Sequence, residues 1–104
     1  KNGTPHANRY LVMYVLKNEK KMNRLGISVS KKVGNSIVRH RITRLIREVY
    51  RLNEEHFSRG FDIVVIARKS LRNCGYETVE KSFLQLGGHH CLIVKEKENE
   101  ISVY

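Results

Sequence analysis

Between residues 38 and 52, Val38, Ile42, Leu45, Ile46, Val49 and Leu52 recur at spacings of three and four, and no other feature constrains the fold of this chain so tightly. At about 100° per residue, that spacing gathers the six side chains on one stripe of a helix. Asn35 or Ser36 is placed to cap it, and the pattern predicts helix to about Phe57. The same rotation sets His40, Arg44, Arg47 and Arg51 nearly opposite the stripe, with Arg39 and Arg41 toward its borders. The helix thus needs a core beneath one face and carries cations on the other.

The surface that accepts the stripe is predicted to be a sheet. Arg9 to Leu16 (RYLVMYVL) sets Leu11, Met13 and Val15 on one face and Val12, Tyr14 and Leu16 on the other. Arg24 to Ser30 resumes the alternation with Leu25, Ile27 and Val29, and the two runs are expected to pair as an antiparallel hairpin across the polar segment 17–23. Phe61 to Ala67 (FDIVVIA) is a continuous apolar run, as in a buried central strand, and its place after a helix predicts a crossover connection. Arg68 to Gly75 is a polar, basic loop. Val79, Phe83, Leu84 and Leu86 then predict a second helix from Tyr76 to about Gln85, frayed or ended by Gly87-Gly88. His89 to Val94 suits either more helix or a short strand, and the charged segment 95–104 reads as an exposed, flexible tail. Together these elements predict one α+β domain over residues 1–104, a two-layer sandwich of a small mixed sheet under two helices.

Charge narrows the function. The chain carries 20 Lys+Arg against 10 Asp+Glu, a formal net charge of +10. Lys31, Lys32, Arg39, Arg41, Arg44, Arg47 and Arg51 face only one acid, Glu48, within that interval. A face serving solubility alone mixes its signs, so this block implies a polyanionic partner. No apolar run reaches the roughly 20 residues that span a bilayer, and the first residues lack a secretory pattern, so a cytoplasmic location is expected. Cys74 and Cys91 form no CxxC pair and are expected to be reduced packing residues. His89-His90-Cys91 lacks an adequate second group of ligands, so no metal or bound cofactor is expected in the protein. No pairing of carboxylates, or of nucleophile with base, supports catalysis by the polypeptide. A ribosomal protein or a DNA reader would share the basic helix, although a DNA reader needs helix-turn-helix spacing and short polar residues aimed at base edges.

The segment LGISVSKKVGNSIVRHRITRLIREVYR (25–51) resembles the signature of the bacterial ribonuclease P protein family: a strand, a Ser-Lys-Lys step, a Gly-Asn turn and an Arg-rich helix. Gly3-Thr4, Ala7-Asn8-Arg9 and FDIVVIARK (61–69) fall in that family's order, so the resemblance covers about the first 90 residues. It implies a left-handed βαβ crossover, against the usual right-handed rule. Two departures are visible. Arg39-His40-Arg41 stands where the family has Arg-Asn-Arg, and the chain opens near the end of a basic segment and an aromatic-bearing helix with which family members begin.

The resemblance implies a ribonucleoprotein that removes the 5′ leader from precursor tRNA, with the chemistry carried by a catalytic RNA and magnesium. Lys31, Lys32, Asn35, Arg39, His40, Arg41, Arg44 and Arg47 would approach the RNA subunit, with Ser30 and the Gly34 backbone shaping the turn. Val12, Tyr14, Ser28, Arg9 and Arg68 would hold the leader along the outer sheet face. The expected partners are therefore the catalytic RNA and precursor tRNA, with no membrane and no obligate protein partner.

Overall fold

The structure is a computed structural model that describes residues 4–90 and residue 92. The expectations for Cys91 and for the segment 95–104 lie outside the described residues. In chain order the elements are β1 (Thr4–Ala7), β2 (Leu11–Lys17), β3 (Arg24–Ser28), α1 (Ser36–Asn53), β4 (Phe61–Ala67) and α2 (Tyr76–His89), with 3₁₀ turns at Glu54–His56 and Lys69–Leu71. The sheet order is β1-β2-β4-β3, with β1–β2 and β2–β4 antiparallel and β3–β4 parallel.

The predicted central strand is central: β4 pairs on both sides. The predicted hairpin is not formed, because β4 lies between β2 and β3. A strand apolar on both faces has most to gain from two neighbours, and the connection 18–23 needs to span only about 10 Å, two strand spacings. Asparagines fasten it to the start of β4. Asn18 Nδ2 donates to Asp62 Oδ1 (2.9 Å), and Asn23 Oδ1 accepts from the Phe61 amide (2.9 Å). Gly60 makes the tight entry to β4 with φ +93°, and a Cβ there would stand 3.0 Å from the Lys20 carbonyl oxygen.

One sheet face is covered by both helices. Leu11, Met13, Ile63 and Val65 on that face are fully buried, as are Ile42, Ile46 and Val49 of α1 and Val79, Phe83 and Leu86 of α2. Tyr50, Phe57 and Phe83 join the helices through ring contacts of 5.5–6.1 Å. Leu52 departs from the expected stripe: it is exposed, and Tyr50 is buried in its stead. The two lie about 80° to opposite sides of Ile42, and α2 packs on the Tyr50 side. Helix α1 also stops at Asn53, short of Phe57, and α2 continues through both glycines to His89. The sequence pattern missed β1, a four-residue strand containing Pro5.

Candidate nucleic-acid interface

The cationic face begins at a built turn. Val33 is buried and donates its amide to the Ser30 carbonyl (3.0 Å), while Ser30 Oγ accepts from the Lys32 amide (3.3 Å), leaving Lys31 and Lys32 exposed. Asn35 caps α1, its Oδ1 accepting from the Val38 amide (3.0 Å). Gly34 is required by contact, since a Cβ there would lie 2.8 Å from Val38 Cβ.

Along α1 the basic residues divide by what holds them. Arg39 is half-buried and donates through Nε to the Gly34 carbonyl (3.2 Å). Arg41 donates to the Cys74 carbonyl (3.0 Å) and to that of Arg72, tying α1 to the loop before α2. Arg51 pairs with Glu48 at 2.7 Å, and this contact draws the Glu48 carboxyl below its ordinary range. His40, Arg44 and Arg47 are exposed and have no hydrogen-bond or ion-pair partner among the described residues. Arg39, His40, Arg44 and Arg47, with Ile27 and Val29, line a concavity of about 330 Å³ between α1 and the β3 edge; no acid is among its described lining residues.

Among the described residues, the other sheet face carries no helix. Strand register sets Pro5, Tyr14, Val64 and Gly26 in one row, Ala7, Val12, Ile66 and Ser28 in the next, and Leu16, Asp62 and Arg24 in a third. Tyr14, Leu16 and Val64 are 38%, 40% and 41% exposed, an apolar strip open to solvent. Asp62, the acid of these rows, is neutralised by Arg24 at 2.7 Å, and hydrogen bonds from Arg24 and Asn18 hold its carboxyl down at about 2.

A concavity of about 560 Å³ lies between the end of β4 and the turn before α1, lined by Arg9, Ser30, Lys32, Val33, Ala67, Arg68, Lys69 and Ser70. Arg68 Nη1 donates to the Asn8 carbonyl (3.0 Å), and Ser70 Oγ donates to that of Arg9 (2.5 Å), so two loops hold the cations in place. Lys69 and Ser70 were absent from the expected site; their only sequence signal is the basic loop following β4. The structure thus brings Arg9 and Arg68 to one groove with Lys32, and sets Val12, Tyr14 and Ser28 on the sheet face alongside.

His6, His89 and His90 form a separate cluster with ring centroids 4.5 Å (His6–His90) and 5.7 Å (His6–His89) apart. His90 Nε2 donates to the Met13 carbonyl (2.9 Å). Burial holds the His90 imidazole below its ordinary value, and the neighbouring His6 and His89 act in the same direction. Among the described residues no group of three or more His, Cys, Asp or Glu is placed to hold a metal ion, and no helix is long and apolar enough to cross a membrane.

Fold and surface together define a class, the small basic α+β proteins whose cations concentrate on one helix beside an uncovered sheet. Comparison with known proteins makes this specific. The family profile described as Ribonuclease P matches residues 1–90. The Ribonuclease P protein component of Lachnoclostridium phytofermentans is 56% identical over 93 residues, covering 89% of this chain and 80% of the relative. The solved RNase P protein of Staphylococcus aureus superposes with a TM-score of 0.80 at 36% identity, covering 88% of this chain and 84% of that one. That of Thermotoga maritima gives 0.76 at 38% identity, covering 81% and 80%. The chain belongs to the Ribonuclease P protein family.

Proposed function

We propose that this chain serves ribonuclease P by holding two RNAs on one connected surface: the catalytic RNA subunit along α1 and its preceding turn, and the 5′ leader of precursor tRNA across the open sheet face. The observation that carries this reading is the cationic groove of Arg9, Lys32, Arg68 and Lys69 between the α1 turn and the end of β4, which has no acid among its described lining residues, in a domain whose open sheet face exposes Tyr14 and Val64.

Each half suits its ligand by ordinary chemistry. Arg44 and Arg47 have no side-chain partner among the described residues, which leaves their guanidinium forks to phosphate oxygens. Such contacts add affinity and position without reading sequence. On the sheet, Tyr14 offers a ring on which an unpaired base can stack, an interaction worth about 1–3 kcal/mol per base. Ser28 and Val12 lie in the adjacent row. His40 adds a hydrogen-bonding group between Arg39 and Arg41.

The polypeptide in this reading performs no bond cleavage. Hydrolysis would fall to the RNA subunit, to which magnesium would supply Lewis-acid chemistry, while the protein steadies substrate and RNA geometry. The test is cleavage of a precursor tRNA at low magnesium by a bacterial ribonuclease P RNA, with and without the protein and with a protein-only control. Stimulation only when both are present supports the reading. RNA binding without stimulation favours a structural RNA-binding role, and cleavage by protein alone contradicts it.

A further inference from the structure

Beyond the groove just described, Arg9 also lines a second concavity, of about 360 Å³, between the β1–β2 turn and α2, together with Asn8, Tyr10, Lys81, Ser82 and Gln85. We infer that this concavity is a seat for a phosphodiester of the same single-stranded leader, one step further along its path. The inference rests on the proposed leader-binding role of the open face.

The hydrogen-bonding inventory of the walls points to an anion. Asn8 is fully used: its Oδ1 accepts from the Tyr10 and Leu11 amides, and its Nδ2 donates to the Ser82 carbonyl and to Gln85 Oε1 (2.8 Å). That last bond engages the Gln85 acceptor and leaves its Nε2 hydrogens without a partner among the described residues. Ser82 is 95% buried, and its hydroxyl has no partner among the described residues. Lys81 forms no ion pair with a described residue, although Glu77 stands one helical turn before it. Arg9 rests over the Tyr10 ring (5.5 Å to the centroid) and its guanidinium donates to no described group. The polar groups left over are thus an ammonium, a guanidinium, an amide NH₂ and a hydroxyl, with no carboxylate among the lining residues. A tetrahedral oxyanion accepts from all four.

The test is precursor-tRNA binding by the reconstituted holoenzyme across a monovalent-salt series, at fixed magnesium, with leaders from one nucleotide to about ten. Lys81→Gln, an exposed position, should weaken binding of long leaders about five-fold at 0.1 M salt and flatten the log–log salt slope by about 0.7, the value for one phosphate of a single strand. Ser82→Ala, tested beside it, should weaken long-leader binding without changing the slope. The one-nucleotide leader should be indifferent to both. Equal loss at every leader length would assign the phosphate to the RNA subunit and overturn the inference. So would an unchanged slope, including the case where inorganic phosphate still shifts the Gln85 side-chain amide resonances, which would make the seat one for free anions. Tyr14→Ala in the same series separates the two failures: if it too leaves long-leader affinity unchanged, the underlying reading of the open face fails, whereas a loss there beside an inert Lys81→Gln removes the seat alone.

Discussion

Replacing Arg44 and Arg47 together with alanine isolates the electrostatic part of the proposed RNA-subunit contact. Neither side chain has a partner among the described residues, so no internal bond is lost. Three residues apart on α1, they repel each other by about 0.2–0.5 kcal/mol, and alanine favours helix slightly more than arginine. The melting temperature should therefore hold or rise by about 1–3 °C. RNA binding should behave oppositely. If each guanidinium neutralises one phosphate of helical RNA, the double variant lowers the log-affinity against log-salt slope by about 1.8, which is about 60-fold weaker binding at 0.1 M salt and about 3- to 4-fold at 0.5 M. Filter binding or fluorescence anisotropy with a bacterial ribonuclease P RNA, at fixed magnesium, measures both. A loss of the same size at the two salt concentrations would refute the counterion reasoning, and no loss would remove these residues from the interface.

Arg41→Ala should instead act on the fold, because its guanidinium holds the Arg72 and Cys74 carbonyls; discounted for exposure, the loss is about 1 kcal/mol in chemical denaturation. Gly34→Ala should cost about 1–3 kcal/mol, since the new Cβ meets Val38 Cβ at 2.8 Å and rotation of the valine leaves that atom in place. Gly88→Ala, with open space around the added methyl, should stabilise α2 by up to about 1 kcal/mol, read as a higher melting temperature. His90 is held below the ordinary histidine value of 6.5, so the folded chain favours the neutral ring. Its contribution is complete above that value and is lost as pH falls through the lower folded one; His90→Gln should flatten the dependence of melting temperature on pH between 7 and 5, and an unchanged profile would assign it elsewhere.

Helix α1, a cap at Asn35 or Ser36 and the central position of FDIVVIA were legible because each is written in local spacing and turn chemistry. Strand partnership was not. The alternation in β2 and β3 defines faces, while the choice between a hairpin and an inserted β4 depends on which neighbours bury the most apolar strand. Pro5 and the shortness of TPHA hid β1. Tyr50 and Leu52 border the same stripe on opposite sides, and only the placement of α2 decides which is covered. The site divides the same way. Arg44 and Arg47 followed from helical rotation, whereas the tethering of Arg41 and the meeting of Arg9 with Lys81, Ser82 and Gln85 arise from contacts between distant segments.

The insertion of β4 also sets an order of assembly. Its ladders join residues far apart, 38 positions for Arg24 with Asp62, so β2 and β3 are synthesised well before the strand that unites them. Until then β2 has only β1 beside it, and β3 has no strand partner. Helix α1 requires only local contacts, and its cap and stripe are complete before β4 leaves the ribosome. Assembly therefore waits on a late, long-range closure, the kind that slows folding and prolongs exposure of apolar edges. A polyanion that binds only the finished surface would draw this equilibrium toward the closed sheet, so the RNA ligand proposed above would also promote the chain's maturation.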